Sequence, residues 1–285
     1  RCQPVTGVQT CALPIYRMGK KIDFQETTND LLTRIDIHNK FGSRDIDRWM
    51  LDTLDLKPGI RILDVACGGG KQCVSFHQYL NGKCEIVGGD ISRELLDQAE
   101  VENAKLGNPF RIVPLDFDQR FEFPDHAFDL VSCCFAIYYT SDIHFTVPEM
   151  HRVLKSGGRL FTTGPMPENK RVFYDIIREA TGKEIPPMPG SSRYSSEIYD
   201  EIAAVFAKVD THIFENPLTF KTAAPFMAYA RASMSEDRRL WKSLFATHAE
   251  FEDVMSKIHR VADKYIERDG EIVMTKVVGG FVATK

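Results

Sequence analysis

Nowhere does this chain hold an apolar run near the roughly 20 residues a membrane-crossing helix needs. The longest relevant one, Val131 to Tyr139, has the length of a buried strand. No membrane span is therefore expected. A surplus of one charge is also missing: the formal net charge is −4, so there is no general attraction to phosphate backbones or anionic lipid, and no basic patch stands out along the sequence. A nucleic-acid partner is disfavoured and a small-molecule substrate favoured. Paired C-x-x-C spacing is absent, which removes a structural zinc site, and no metal is expected. The seven cysteines are odd in number and partly vicinal, at Cys133 and Cys134, unlike a secreted disulfide framework, so a cytoplasmic home is expected. Internal repeats and low-complexity tracts are lacking as well.

What is present suits one core with a cap. The chain has 285 residues, 43% hydrophobic and 27% charged, enough apolar surface for a sizeable interior. Residues 1–17 have neither the basic start nor the apolar core of a signal peptide. Within them "VTGVQTCALPI" resembles the in-frame translation of a sequencing-adapter oligonucleotide. They read as a non-native or disordered tail, leaving a single domain over 18–285.

From Asp30 to Leu54 apolar residues recur at three- and four-residue steps, interrupted near Gly42, which predicts helices. "LKPGIR" then breaks the pattern. Next come a strand "RILDVA", a helix over Lys71 to Leu80, a strand "CEIVGGD", a helix over Ser92 to Leu106 with Ser92 as its cap, and a strand "FRIVPL". A strand "FDLVSCCFAIYY", a helix through Val147, Met150 and Val153, a turn at Lys155 to Gly158 and a strand "RLFTTG" follow. Such alternation means a parallel sheet covered on both faces, with ligands beyond the carboxyl ends of its strands. Further on, Ile198 to Phe206 reads as a helix, and "VDTHIFENPLTF" and Glu271 to Thr284 as strands. Between those strands, a helical cap over about 222–270 carries a stripe of Phe251, Val254, Met255, Ile258, Ala262, Tyr265 and Ile266 that should pack as a lid.

The turn "ILDVACGGGKQC" admits three readings. A phosphate loop would need glycine at Val65 and a hydroxyl at Gln72, to hold Mg²⁺. A dinucleotide fingerprint would align Gly68 and Gly70 but set Cys73 at the third glycine, which weakens that reading without excluding it. The third is a nucleoside without phosphates: Asp64 ends one strand, Ala66, Gly68 and Gly70 keep the turn small, and Asp90 ends the next strand, where a carboxylate can accept from both ribose hydroxyls.

This constellation resembles the class I S-adenosylmethionine-dependent methyltransferases, whose first motif commonly reads D-x-G-x-G-x-G; Ala66 stands at the first glycine. "GGDIS" with "RELLDQAE" looks like that family's second strand and helix, "LDFDQRFEFPDHAFDLV" like the segment ending in an acid that faces adenine, and "HRVLKSGGRLF" like the helix, turn and strand that follow. The matches run from about Ile62 to Gly164. The resemblance implies an α/β, Rossmann-like seven-stranded sheet, mostly parallel with its last strand antiparallel, helices on both faces, and a helical cap. It implies S-adenosyl-L-methionine as cofactor, held by Asp64, Ala66, Gly68, Gly70, Asp90 at the ribose, Ile91 beside adenine, Asp116, Phe117 and Cys133. The activity implied is methylation of an oxygen or nitrogen atom of a small molecule, as in the quinone-biosynthesis and natural-product branches.

An acceptor bearing a proton also needs a base nearby. Tyr138, Tyr139 and His144 follow the fourth strand, and Tyr139 and His144 are the catalytic candidates; His38 and Asn169 are further possible contacts. An [DNS]-P-P-[YF] signature is absent, as is a Pro-Cys nucleophile, so base methylation drops further. Two alternatives stand beside the main reading: an NAD(P)-dependent oxidoreductase, and an adenosyl-binding protein without turnover.

Overall fold

The computed structural model describes residues 28–186, 188–234 and 238–285; the tail expected over 1–17 lies outside them. Two helices, α1 (Thr28–Phe41) and α2 (Ile46–Leu54), precede the sheet. Then come β1 (Ile60–Val65), α3 (Lys71–Tyr79), β2 (Cys84–Asp90), α4 (Arg93–Lys105), β3 (Arg111–Pro114), β4 (Phe128–Cys134), α5 (Ile143–Val153) and β5 (Leu154–Pro165). The remainder is α6 (Arg171–Thr181), α7 (Pro189–Arg193), α8 (Tyr199–Val205), β6 (Lys208–Phe220), α9 (Ala223–Ser233), α10 (Arg238–Trp241), α11 (His248–Asp269) and β7 (Ile272–Thr284).

The seven strands lie in the order β3-β2-β1-β4-β5-β7-β6, with β7 antiparallel to both β5 and β6 and the other pairs parallel. The chain winds outward from β1 in one direction to β3 and then restarts at β4 on the other side. Between β1 and β4 the winding therefore reverses, and a crevice opens beyond their carboxyl ends. Strands β1 and β4 are buried on both faces, as the run of apolar side chains in each requires. In β2, Gly88 lets α3 come close: a Cβ there would stand 2.9 Å from Cys73 Sγ.

One apolar cluster packs α5, α8 and the turn before α8 on one face, and a second packs α2 and α3 on the other. A third joins α1, α6, α9 and α11 to the end of β6 and the start of β7. Helix α11 is set by a capping box, Thr247 with Glu250, and ends at Gly270 in the left-handed region. Its Val254, Met255, Ile258 and Ala262 are buried in that third cluster, so the stripe is core. Among the described residues no helix is long and apolar enough to cross a membrane.

The structure departs from the sequence reading in three places. Strand β4 stops at Cys134, because Phe135 takes φ 56°, and Ile137–Tyr139 form a 3₁₀ turn where a continuous strand was expected. Strand β5 starts at Leu154, before the Lys155–Gly158 turn, which survives as an irregularity pinned by the Gly157 amide donating to the Lys285 carbonyl. Helical structure begins at Pro189 rather than Ile198 and runs through a π turn at Tyr194–Ile198. That turn seats Tyr194, fully buried, with its ring stacked on Phe281 at 4.6 Å and its hydroxyl donating to the Thr162 carbonyl at 2.9 Å.

Candidate active site

At the end of β1 the chain bends through Ala66 at φ 56°, Gly68 at φ 54° and Gly70 at φ 81°, and Gly70 leads into α3. Alanine in this region costs about 1–2 kcal/mol. The bend is tied to the next strand: the Cys67 amide donates to the Gly89 carbonyl at 3.0 Å and the Gly68 amide to Asp90 Oδ2 at 2.9 Å. Asp90 Oδ1 accepts from the Ser92 amide at 2.8 Å, which fixes the carboxylate at the start of α4. Each oxygen thus holds one backbone donor and keeps a lone pair for another.

An adenosyl group fits what surrounds this carboxylate. A Cβ built on Gly68 meets nothing within 4 Å, so open space lies over the bend. Ile91 is 56% exposed, a large apolar side chain held in the open beside Asp90, as a neighbour for a flat base would be. The buried amide nitrogen of Gln72, in the first turn of α3, has no partner and is a donor in reserve. Beyond β3, Asp116 Oδ1 accepts from the Asp118 amide at 2.9 Å, with Phe117 between them. Asp118 in turn accepts from Thr140 Oγ1 and from the Ser141 amide, tying the segment after β3 to the one after β4. Nothing in the sequence singled out Asp118, whose work is done by partners over twenty residues away.

Asp64 sits underneath rather than in the crevice. It is 2% exposed; Ser132 Oγ donates to Oδ1 at 2.6 Å and Cys73 Sγ lies 3.5 Å from Oδ2. Burial pushes its carboxyl up to about 6, against the lowering by the Ser132 and Cys73 hydrogen bonds. It anchors the base of the loop.

Two expected site residues are corrected. Cys133 is fully buried in the core with Leu63 and Val131, so its thiol has no surface to offer a ligand, and burial pushes that thiol well up. His144 stands on the surface with its side chain 79% exposed, its Nδ1 2.5 Å from Glu201 Oε2 on α8. That contact joins two helices on the outside of the sheet. Tyr139 does lie at the carboxyl end of β4, its ring 4.6 Å from that of Tyr138, but burial raises the phenol to about 12. At neutral pH it keeps its proton and can only donate or shape a wall, so it is no base in this state. Asn169 is structural: its Oδ1 accepts from the Val277 amide at 3.1 Å. Asp129 is structural too, accepting from the Arg61 amide and from Lys155 Nζ.

Beside Tyr139 lies a group the sequence analysis did not assemble. Arg34 of α1 is near the phenols of Tyr229, Tyr139 and Tyr138, and His38, one turn further, packs against Tyr229 with ring centroids 5.6 Å apart. Burial, with Lys276, Lys170 and Arg34 close by, depresses His38 to about 2.

Comparison with known proteins agrees with this geometry. A family model described as a methyltransferase domain matches residues 63–162. A ubiquinone/menaquinone biosynthesis C-methyltransferase from Shewanella sp. strain W3-18-1 is 27% identical over 186 residues, 61% of this chain and 72% of that protein. Its counterpart from Xanthomonas campestris pv. campestris is 33% identical over 135 residues, 46% of this chain and 50% of that protein. Among solved structures, the YcgJ protein of Bacillus subtilis superposes with a TM-score of 0.54 at 18% identity, over 84% of this chain and 97% of that one. Phosphoethanolamine N-methyltransferase 2 of Haemonchus contortus, solved with S-adenosyl-L-methionine, gives 0.52 at 15% identity, over 89% and 56%. At such identities the two structures speak for the fold.

Proposed function

The chain belongs to the class I S-adenosylmethionine-dependent methyltransferases, and from that premise we propose that it methylates an oxygen or nitrogen atom of a small molecule. The observation that carries the assignment of the cofactor side is the Asp90 carboxylate, held by the Gly68 and Ser92 amides with open space beside it.

S-adenosylmethionine supplies a methyl group on a sulfonium, already electrophilic. The protein's part is alignment and exclusion of water, which in well-oriented systems supplies on the order of 7–11 kcal/mol. In this reading Asp90 accepts from the ribose hydroxyls, Gly68 and Gly70 leave room for the nucleoside, Ile91 covers one side of adenine, and Asp116 with Phe117 borders its edge. Asp64 and Ala66 hold the loop. Tyr138 and Tyr139 wall the acceptor side, and α1, α9 and α11 form the cover over residues 18–285 read as one domain.

A carbon acceptor is the second reading, supported by the names of the curated relatives, which are C-methyltransferases of quinone biosynthesis. Incubation with S-adenosylmethionine labelled with ¹³C in the methyl group, plus a metabolite extract, separates the two. The methyl carbon's chemical shift in the product reports whether it sits on oxygen, nitrogen or carbon. A product methylated on oxygen or nitrogen is expected; a methyl on carbon establishes the second reading, and no labelled product contradicts both.

A further inference from the structure

Helix α9 carries two hydroxyls that its packing leaves unanswered. Tyr229 and Ser233 stand one turn apart on it, both fully buried, and neither Tyr229 Oη nor Ser233 Oγ makes a hydrogen bond, to the other or to anything else. Facing them from α1, the His38 ring packs against that of Tyr229 with centroids 5.6 Å apart, and its Nε2 is buried with no partner as well. Tyr174, near the start of α6, adds a buried and unpartnered Oη, on a phenol close enough to Tyr229 for the charge of one to bear on the other. Four polar atoms from three helices thus lie together without hydrogen bonds. Nearly all buried polar side-chain atoms of folded proteins are hydrogen-bonded, and one left bare opposes folding. Such a concentration calls for a ligand.

Their place in the fold is the acceptor end of the sheet. Strand β7 pairs with the last residue of β5 at Val278, so Lys276, whose charge bears on His38, lies beyond the carboxyl end of β5. Arg34, one turn before His38 on α1, is near Tyr229 and also near Tyr138 and Tyr139, in the turn that follows β4. Helix α1 is held there by Asn216 of β6, whose Oδ1 accepts from the Ser43 and Arg44 amides. The cations of this neighbourhood are not the unmet groups: Arg34 and Lys170 have partners of their own. What is unmet is neutral. Burial raises the Tyr229 phenol to about 12 and, with Lys276, Lys170 and Arg34 close by, depresses His38 to about 2, so near pH 7 the phenol keeps its proton and the imidazole stays uncharged. A hydroxyl both donates and accepts, so it can meet these hydroxyls and His38 Nε2 whichever ring nitrogen carries the proton, whereas a carboxylate only accepts.

We propose that Tyr229 Oη, Ser233 Oγ and His38 Nε2 bind an uncharged hydroxyl group of the methyl acceptor, with Tyr174 Oη beside them. The proposal rests on the methyltransferase reading and narrows its substrate class to neutral hydroxylated small molecules. These side chains position the acceptor, and none of them takes a proton from it.

The test is calorimetric titration of the full chain, saturated with S-adenosylhomocysteine, at pH 7. The probes are 4-methoxyphenol, 4-methylanisole, in which a methyl group replaces the hydroxyl, and 4-methoxybenzoate, which puts a carboxylate in its place. The phenol is expected to bind at least tenfold tighter than the other two, because a site built to hydrogen-bond a hydroxyl is left with unpaired groups by an analogue that lacks it. Tyr229→Phe and His38→Leu should each reduce that preference at least tenfold and leave S-adenosylhomocysteine affinity unchanged. Tyr229→Phe should also unfold, without the probe, at an equal or higher temperature, since it removes a buried hydroxyl that has no partner in the free protein. Equal affinity for the phenol and 4-methylanisole, tighter binding of the carboxylate, no binding of any probe, or a preference indifferent to both substitutions overturns the proposal while the methyltransferase reading stands. A lower unfolding temperature for Tyr229→Phe assigns its hydroxyl to the fold and overturns it too. Failure of S-adenosylhomocysteine to bind contradicts instead the reading on which the proposal rests.

Discussion

The Gly68 amide and Asp90 Oδ2, 2.9 Å apart, make the loop after β1 and the end of β2 one unit. In the proposed reading the open space over Gly68 is the cofactor's. Gly68→Ala and Gly107→Ala both put a Cβ on a residue of positive φ with nothing within 4 Å, so each should lose about 1–2 kcal/mol of stability. Only Gly68→Ala should also weaken binding of S-adenosylhomocysteine, by at least tenfold. Calorimetric titration and chemical unfolding of both variants check the pair.

Ala66 occupies the left-handed region without glycine's freedom. Ala66→Gly should therefore be neutral or stabilising by up to about 1 kcal/mol, where the same exchange in a helix destabilises by a similar amount. Denaturant unfolding gives the sign, and cofactor affinity should not change.

Asp64 predicts a pH dependence. Its carboxyl titrates near 6 in the folded chain against 3.8 ordinarily, so between these values the folded state binds more protons than the unfolded one. Its contribution to stability is therefore greatest below about pH 4, falls as pH rises and is flat above about 6. The stability of the wild type relative to Asp64→Asn should fall by roughly 1–3 kcal/mol across that window. Urea unfolding of both proteins at closely spaced pH values reads the slope; a difference that rises with pH contradicts the burial of this group.

His144 and Tyr139 separate two roles the sequence offered together. His144→Ala removes a surface contact with Glu201 and should leave kcat/KM within about twofold. Tyr139→Phe removes a buried phenol at the acceptor side and should change KM for the acceptor more than affinity for the cofactor. Steady-state kinetics on the two variants decides.

The geometry of the loop after β1 and of the end of β2 was legible because its signals are local. Gly68 and Gly70 fall in the turn after β1 and Asp90 ends β2, and strand ends follow from runs of apolar residues. Helix α11 was legible for the same reason, through its apolar stripe. Tyr194 was not: a π turn answers to the ring of Phe281 far along the chain, which no short window contains. Phe135 hid the end of β4, since an apolar residue at positive φ reads as more strand. Arg34, His38, Lys170 and Lys276 are unremarkable in their own windows, and only the tertiary fold brings their charges together. Cys133 shows the reverse case, a residue implied by the resemblance whose side chain the sheet turns into the core.

The account's central claim is that Asp90 holds the cofactor's ribose, and titration of S-adenosylhomocysteine into wild type and Asp90→Ala tests it most directly. Because Asp90 also accepts from Gly68 and Ser92, thermal unfolding of the variant and a parallel titration of Ile91→Ala, whose side chain is exposed, accompany it. The prediction is binding by the wild type and a loss of at least tenfold, about 1.4 kcal/mol, in folded Asp90→Ala, with a smaller loss in Ile91→Ala. Unchanged affinity in folded Asp90→Ala, or no binding by the wild type, would contradict it.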